Sequence, residues 1–263
     1  MSTNYGYFHG RNIGLSISES PDLGKHGFGA EHVRYFMVEL AQQLLKTSAT
    51  LVYGGDLGYN SEFNFVSLLS DMVKHYRLPG SSKKQVINFV AYPFYKRYDA
   101  ALLAELMSFV EIHNVKPSFR TEEVDVSEMV ANKNGEYNEK WHQSMLDLRQ
   151  ALIAATDARI VIGGKTADFK GKYPGIRQEA YMMLEANKPV YVIGCFGGAS
   201  WDVAKDLKEG GLKLEERDKA FSISDLNNGL SQEQNLELFY SDDLKKVTRL
   251  LLRGLKNKLM VHD

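Results

Sequence analysis

Short β-forming runs alternate with longer stretches of helical periodicity along most of this chain, and that alternation restricts its fold more than any other feature. Ile13, Leu15 and Ile17 alternate with small residues in Asn12–Ser18, as a strand would. Further strands are expected at Thr50–Tyr53, Val86–Ala91, Ala158–Ile162 and Pro189–Gly194. Between them, Val33, Phe36, Met37, Leu40, Ala41 and Leu44 recur at helical spacing within Glu31–Lys46. Similar helical patterns cover Ser61–Tyr76, Glu139–Thr156 and Pro174–Asn187, and another opens at Gly197-Gly198 and runs through Leu207. Residues 111–138 give no clear pattern beyond short strands and a polar loop around Asn132–Gly135.

Strands separated by helices of this length pair in parallel through right-handed crossovers. The expected fold is therefore α/β: a Rossmann-like three-layer α/β/α sandwich with a mostly parallel sheet and a C-terminal helical extension. Residues 1–210 read as the sandwich domain and 211–263 as a loop and helical extension packed on the same domain. Gly211–Gly229 is polar and reads as a loop or a poorly packed connection. Ser231 and Gln234 fit a capping box, and Ser241-Asp242-Asp243 precedes a helix with Leu244, Val247, Leu251 and Leu255 on one face. That helix docks on the sandwich with its basic face in water, or packs against a second subunit.

Composition narrows the functional classes. A formal net charge of -1 lacks the basic excess of a general nucleic-acid binder. Cys195 is the only cysteine, so neither an intrachain disulfide nor a multi-thiolate metal site can form. No pair of histidines stands at metal-binding helical spacing. No resident cofactor or metal is expected. No apolar run reaches the roughly 18 residues of a membrane span, and the first residues lack an apolar signal core, so a cytoplasmic protein with no membrane partner is expected.

In an open parallel sheet, ligands bind beyond the carboxyl ends of the strands. Here those ends carry Ser16 and Ser18, then Gly54-Gly55-Asp56, Gly163-Gly164-Lys165, and Gly194 through Gly198 with Gly197 at its turn. Glycine lets the backbone approach a phosphate closely, but tight turns use it for steric reasons too. Ser16 and Ser18 can bind phosphate oxygens, and Asp56 caps a helix or binds a ribose. Tyr92 and Phe196 at strand ends could stack on a base, or belong to the core. On the helix from Glu139, the apolar stripe is Trp141, Met145, Leu148, Leu152 and Ala155, which leaves Arg149 on the flank of the inward face. A guanidinium there needs a carboxylate, carbonyls or a phosphate, unless its stem carries it to water. Glu179 lies on the flank of the next helix, beside Ile176 and Met183, with Arg177, Tyr181 and Glu185 on the exposed side. It could accept from ribose hydroxyls, act as acid or base, or simply pair with Arg149. Lys165 either neutralises a phosphate or stays solvated.

The stretch from Met145 to Glu179 resembles the SLOG superfamily, which includes the "lonely guy" phosphoribohydrolases. Those enzymes read approximately M-x-x-R-K, then D-A and a strand, then P-G-G-x-G-T-x-x-E. This chain supplies Met145 and Arg149 one residue further apart, then Asp157-Ala158, the strand, Gly163-Gly164, Gly175 and Glu179 in the same order. Gln150 stands where the enzymes have lysine, and Ile162 where they have the proline before Gly-Gly. Ten residues, Lys165 to Pro174, separate Gly164 from Gly175, so the compact catalytic loop is not reproduced.

The inserted form looks closer to the SLOG domains of Thoeris anti-phage effectors and of certain ion channels. That resemblance implies binding of a cyclic ADP-ribose-like or ADP-ribose-like second messenger, with Arg149, Lys165 and Glu179 on its phosphates and ribose. The expected partner is thus a nucleotide or NAD-derived small molecule. A homo-oligomer is expected, with output through an effector partner or a fused domain. The alternative is an enzyme cleaving a nucleotide N-glycosidic bond, with Arg149 and Glu179 as its catalytic pair. A nucleoside deoxyribosyltransferase-like activity is a third, weaker reading, because it normally needs a differently placed carboxylate.

Overall fold

The computed structural model describes residues 6–57, 65–76, 84–122, 124–131, 136–169 and 171–260. Its strands are β1 (Asn12–Ser18), β2 (Thr50–Gly54), β3 (Val86–Ala91), β4 (Val110–Val115), β5 (Ala158–Gly163) and β6 (Val190–Ile193). They form one sheet in the order β4-β3-β2-β1-β5-β6, and every neighbouring pair is parallel. The chain builds outward from β1 to one edge, then returns to the other side of β1 with β5. That reversal lies between β1 and β5.

The helices are α1 (Ala30–Lys46), α2 (Phe65–Tyr76), α3 (Ala100–Met107), α4 (Val126–Ala131), α5 (Glu136–Ala155), α6 (Gly175–Glu185), α7 (Gly198–Glu209), α8 (Gln232–Tyr240) and α9 (Leu244–Leu259). Strand alternation divides the core. Ile13, Leu15, Ile17, Ile160 and Ile162 pack with the apolar stripes of α1, α2 and α9 on one face. Val161, Val190 and Val192 meet α6 and α7 on the other, while Val52 and Phe89 meet Leu152 of α5. The sandwich is thus the Rossmann-like α/β/α fold that the alternation predicts.

Two parts of the chain depart from the sequence reading. Within 111–138, Val110–Val115 is the edge strand β4 and Val126–Ala131 a short helix; the polar loop at Asn132–Gly135 and the helix start at Ser61 lie outside the described residues. The connection after Gly211 is well packed rather than loose: Leu212, Leu214, Phe221, Ile223 and Leu226 are buried, and Leu212 and Phe221 form an antiparallel bridge. It folds over the outer side of α6. Tyr181, expected on an exposed face, is consequently buried, with its ring 5.1 Å from that of Phe221 and its hydroxyl donating to the Lys219 carbonyl at 3.0 Å. Sparse but large apolar residues anchored a segment whose average composition is polar.

α9 completes the first face. The Asp243 carboxylate accepts from the Lys246 amide at 3.0 Å to cap it, and Val247, Leu250, Leu251 and Leu255 are buried in the sheet-side core. Truncating one of them leaves a cavity in a close-packed layer. Leu251→Ala should lower the unfolding free energy by about 2–5 kcal/mol in urea denaturation. Arg253→Ala on the exposed face should change it by less than about 0.5 kcal/mol.

Candidate functional site

β1 leads into α1 on one face of the sheet, whereas β5 leads into α6 on the other. The two connections diverge and open a cleft of about 320 Å³ at the carboxyl ends of the strands. Ser16, Ser18, Tyr53, Gly54, Arg149, Lys165, Asp168, Phe169, Gly175 and Glu179 line it.

Beneath the cleft lies a buried ion pair. Arg159 of β5 stands in register with Gly14 of β1, and its side chain is fully buried. Gly14 makes this possible: a Cβ there would fall 3.0 Å from the guanidinium carbon and 2.9 Å from Thr156 Cγ2. Arg159 Nη1 donates to Glu179 Oε2 at 2.6 Å and to Ser16 Oγ at 2.8 Å. Ser16 Oγ in turn donates to the same carboxylate oxygen at 2.5 Å. Burial pushes the Arg159 pKa down, and the Glu179 charge opposes that shift. Arg159 Nε and Nη2 are buried without hydrogen-bond partners among the described residues.

Arg149 approaches from α5. Its Nη1 donates to Gln178 Oε1 at 2.5 Å, and its Nε lies 3.9 Å from Glu179 Oε1. Burial lowers its pKa as well, with Glu179 again opposing. The inserted segment acts as a strap across this guanidinium. A Cβ on Gly171 would come within 2.9 Å of Arg149 Nη1, and one on Gly175 within 3.0 Å of Nη2. Gly171 also takes a φ of 111°, which side chains other than hydrogen rarely tolerate. Lys165, Asp168 and Phe169 precede that crossing, on the cleft side. The first turn of α6 begins at Gly175, so amides with no intrahelical acceptor and the positive end of the helix dipole lie beside Arg149. Tyr53 closes the opposite wall; its pKa is raised by burial and, secondarily, by Glu179.

Of the residues singled out from sequence, the fold brings Ser16, Ser18, Gly54, Arg149, Lys165, Gly175 and Glu179 to this cleft. Gly55, Asp56, Gly163, Gly164 and Gly197 do not line it. The Gly55 amide donates to the Phe89 carbonyl at 3.2 Å, and Asp56 accepts from the Tyr98 hydroxyl at 2.7 Å. The Gly163 amide donates to Ser200 Oγ, the Gly164 amide to the Ser18 carbonyl, and the Gly197 amide to the Gly194 carbonyl. These glycines serve the crossing of two turns: a Cβ on Gly198 would stand 2.2 Å from the Gly164 carbonyl oxygen. Tyr92 and Phe196 are core residues.

Sequence reasoning missed Arg159, Tyr53, Asp168 and Phe169. The signal for Arg159 was present, since an arginine inside the strand ARIVIG opposes a glycine in NIGLSIS. Only the sheet order identifies those two strands as neighbours.

A family model described as SLOG cluster2 matches residues 7–221, a stretch that contains every wall of the cleft. The chain belongs to the SLOG family. SLOG domains are nucleotide-related, and α8 and α9 lie beyond the matched stretch. A search of curated proteins gives no match. Among solved structures, the X-ray structure of TM1055, a structural-genomics target, aligns at a TM-score of 0.46 and 12% identity, covering 92% of this chain and 99% of that one.

The buried pair in this SLOG domain gives a direct test. Glu179→Ala leaves Arg159 as an uncompensated buried cation and should cost about 3–5 kcal/mol of stability in urea denaturation. Replacing Arg159 and Glu179 together by Met and Leu should cost distinctly less, because both charges are removed.

Proposed function

We propose that this SLOG domain binds a nucleotide-type ligand in the β1–β5 cleft and acts as a sensor of an NAD-derived signal of the cyclic ADP-ribose or ADP-ribose type. The observation that carries the reading is the meeting of Arg149, Lys165 and the first turn of α6 with a fixed carboxylate, Glu179. Phosphate oxygens accept from the cations and from the helix amides. Ribose hydroxyls donate to Glu179, which Arg159 and Ser16 hold in one orientation. Phe169 offers an aromatic wall for a ring. The cleft volume is near the lower end of the roughly 300–1,000 Å³ common for small-molecule sites, a fit for one nucleotide unit at a time.

Sensing is favoured over turnover by the insertion. The strap from Lys165 to Pro174 replaces a compact catalytic loop and covers Arg149. Its closure on an anionic ligand would distinguish two states of the protein, which is what a signal requires. In this reading the protein works as a cytoplasmic homo-oligomer that passes the signal to an effector partner or a fused domain, as in anti-phage defence. Among the described residues no helix is long and apolar enough to cross a membrane.

The convergence of Arg149 and Glu179 on one cleft also supports a second reading, hydrolysis of a nucleotide N-glycosidic bond. Thermal shift with AMP, ADP-ribose and cyclic ADP-ribose separates the two. An ADP-ribose-type ligand at about a hundredfold its Kd should stabilise the protein by about 2.7 kcal/mol. Chromatography of the same mixtures should show intact ligand; release of free base would move the assignment to the hydrolase. Arg149→Ala should remove the shift, and unchanged binding in that variant would refute the site.

A further inference from the structure

A second cavity, of about 290 Å³, opens between α5 and α6 under the strap residues Lys172 and Tyr173. It shares no lining residue with the cleft. One hydrogen bond joins them: Arg149 lines the cleft, and Gln178, which accepts from it at 2.5 Å, lines the second cavity. Gln178 is only 7% exposed. Its Oε1 is taken by Arg149, while its Nε2 makes no hydrogen bond to another described residue and stays open to the cavity. An amide donor that opens on a cavity can give its proton to an acceptor held there.

The remaining walls define what that acceptor belongs to. Leu146, Met182 and the Tyr173 ring give apolar surfaces on the two helices and the strap. The charges at the mouth are largely cancelled within the protein. Lys172 pairs with Glu216, and Arg217 pairs with Glu185 at 3.2 Å. Glu139 stands exposed at the outer edge. Burial, followed by the charges of Lys172 and Arg149, lowers the His142 pKa, so this imidazole is neutral near pH 7 and presents one donor and one acceptor. The surface is therefore apolar on its flanks, polar and uncharged at its base, and close to neutral at its rim.

We propose that this cavity is a second ligand site, and that it takes a neutral planar nitrogen heterocycle bearing a carbonyl or ring-nitrogen acceptor, the chemistry of a nucleobase or of nicotinamide. The ring lies between Leu146, Met182 and Tyr173, and its acceptor receives the Gln178 Nε2 proton. Because the same amide holds Arg149, an occupied cavity fixes the orientation of that guanidinium in the neighbouring cleft. Two sites joined in this way change each other's affinity by the same factor. The coupling rests on the nucleotide reading of the cleft, whereas the heterocycle site does not.

Calorimetric titration with adenine, nicotinamide and benzoate tests the site. At least one of the two neutral heterocycles should bind, and benzoate, a planar anion, should not. Met182→Trp fills the cavity and should weaken heterocycle binding by about tenfold or more, while ADP-ribose affinity stays within about twofold. Gln178→Leu keeps the volume but removes the donor, and should likewise weaken the heterocycle by about tenfold. Circular dichroism establishes that each variant folds, and Leu146→Phe is the milder filling variant if Met182→Trp does not. The proposal is overturned if neither heterocycle binds, or if binding survives both the filling and the Gln178 variants. Heterocycle binding that depends on Met182 or Leu146 in a protein that ignores ADP-ribose would retain this site and remove the nucleotide reading of the cleft.

Discussion

The contact between Arg159 and Glu179 sets the architecture of the cleft. A guanidinium buried beneath a sheet is tolerated only if a carboxylate and further hydrogen bonds replace its water. Glu179 supplies the charge at 2.6 Å and Ser16 an oxygen at 2.8 Å. That requirement ties α6 to β5 and β1 at once. It also determines the residues around it: Gly14 has no side chain because the guanidinium occupies that space, and Ser16 is small and polar because it completes the triangle. The pair therefore contributes specificity of position more than net stability, since an apolar pair of similar volume would avoid the desolvation cost.

With α6 held this way, its first turn faces the gap where the strand order reverses. The starts of α6 and α7 at this edge of the sheet are not equivalent. The α7 terminus is already filled from within, because Asp22 Oδ1 accepts from the Gly198 amide at 2.8 Å. That carboxylate occupies the place an anion would take at a helix start. At α6, among the described residues, no carboxylate is seen accepting from the first-turn amides; Arg149, Lys165, Asp168 and Gly175 line the cleft there. The same physical device, a helix N-terminus at the carboxyl edge of a parallel sheet, is used once for internal cohesion and once at the cleft.

This difference explains what sequence could and could not reveal. Strand alternation in NIGLSIS and the helical stripes of α1, α5 and α9 specify layers and core, because burial leaves a periodic trace. Arg149 and Glu179 were legible for a related reason: each stands at the edge of an apolar stripe, where an unpaired charge would be costly. The glycine pairs were not legible in the same way. Gly163, Gly164 and Gly197 have the composition of a phosphate loop, yet their amides are spent on Ser200, Ser18 and Gly194. Glycine reports that backbone passes close to something without saying what. Arg159 failed for the opposite reason, since its partners come from β1 and α6, 143 and 20 residues away in sequence.

The strap runs past the buried arginine of the cleft. Its path depends on Gly171 and Gly175, both within reach of the Arg149 guanidinium, and its far side is held by the exposed pair Lys172–Glu216. Exposed pairs of this kind are weak and screened by salt. Arg149, by contrast, is buried and meets Gln178 and Glu179 as well as the strap. The strap thus passes close to the arginine at Gly171, packs on the α6 core through Tyr173, and has the Lys172–Glu216 pair at its outer edge. In the proposed reading, an anion engaging Arg149 would compete with protein groups for its donors and so link ligand binding to strap position. In the sensor reading proposed above, a ligand that distinguishes two strap arrangements would shift the balance between them.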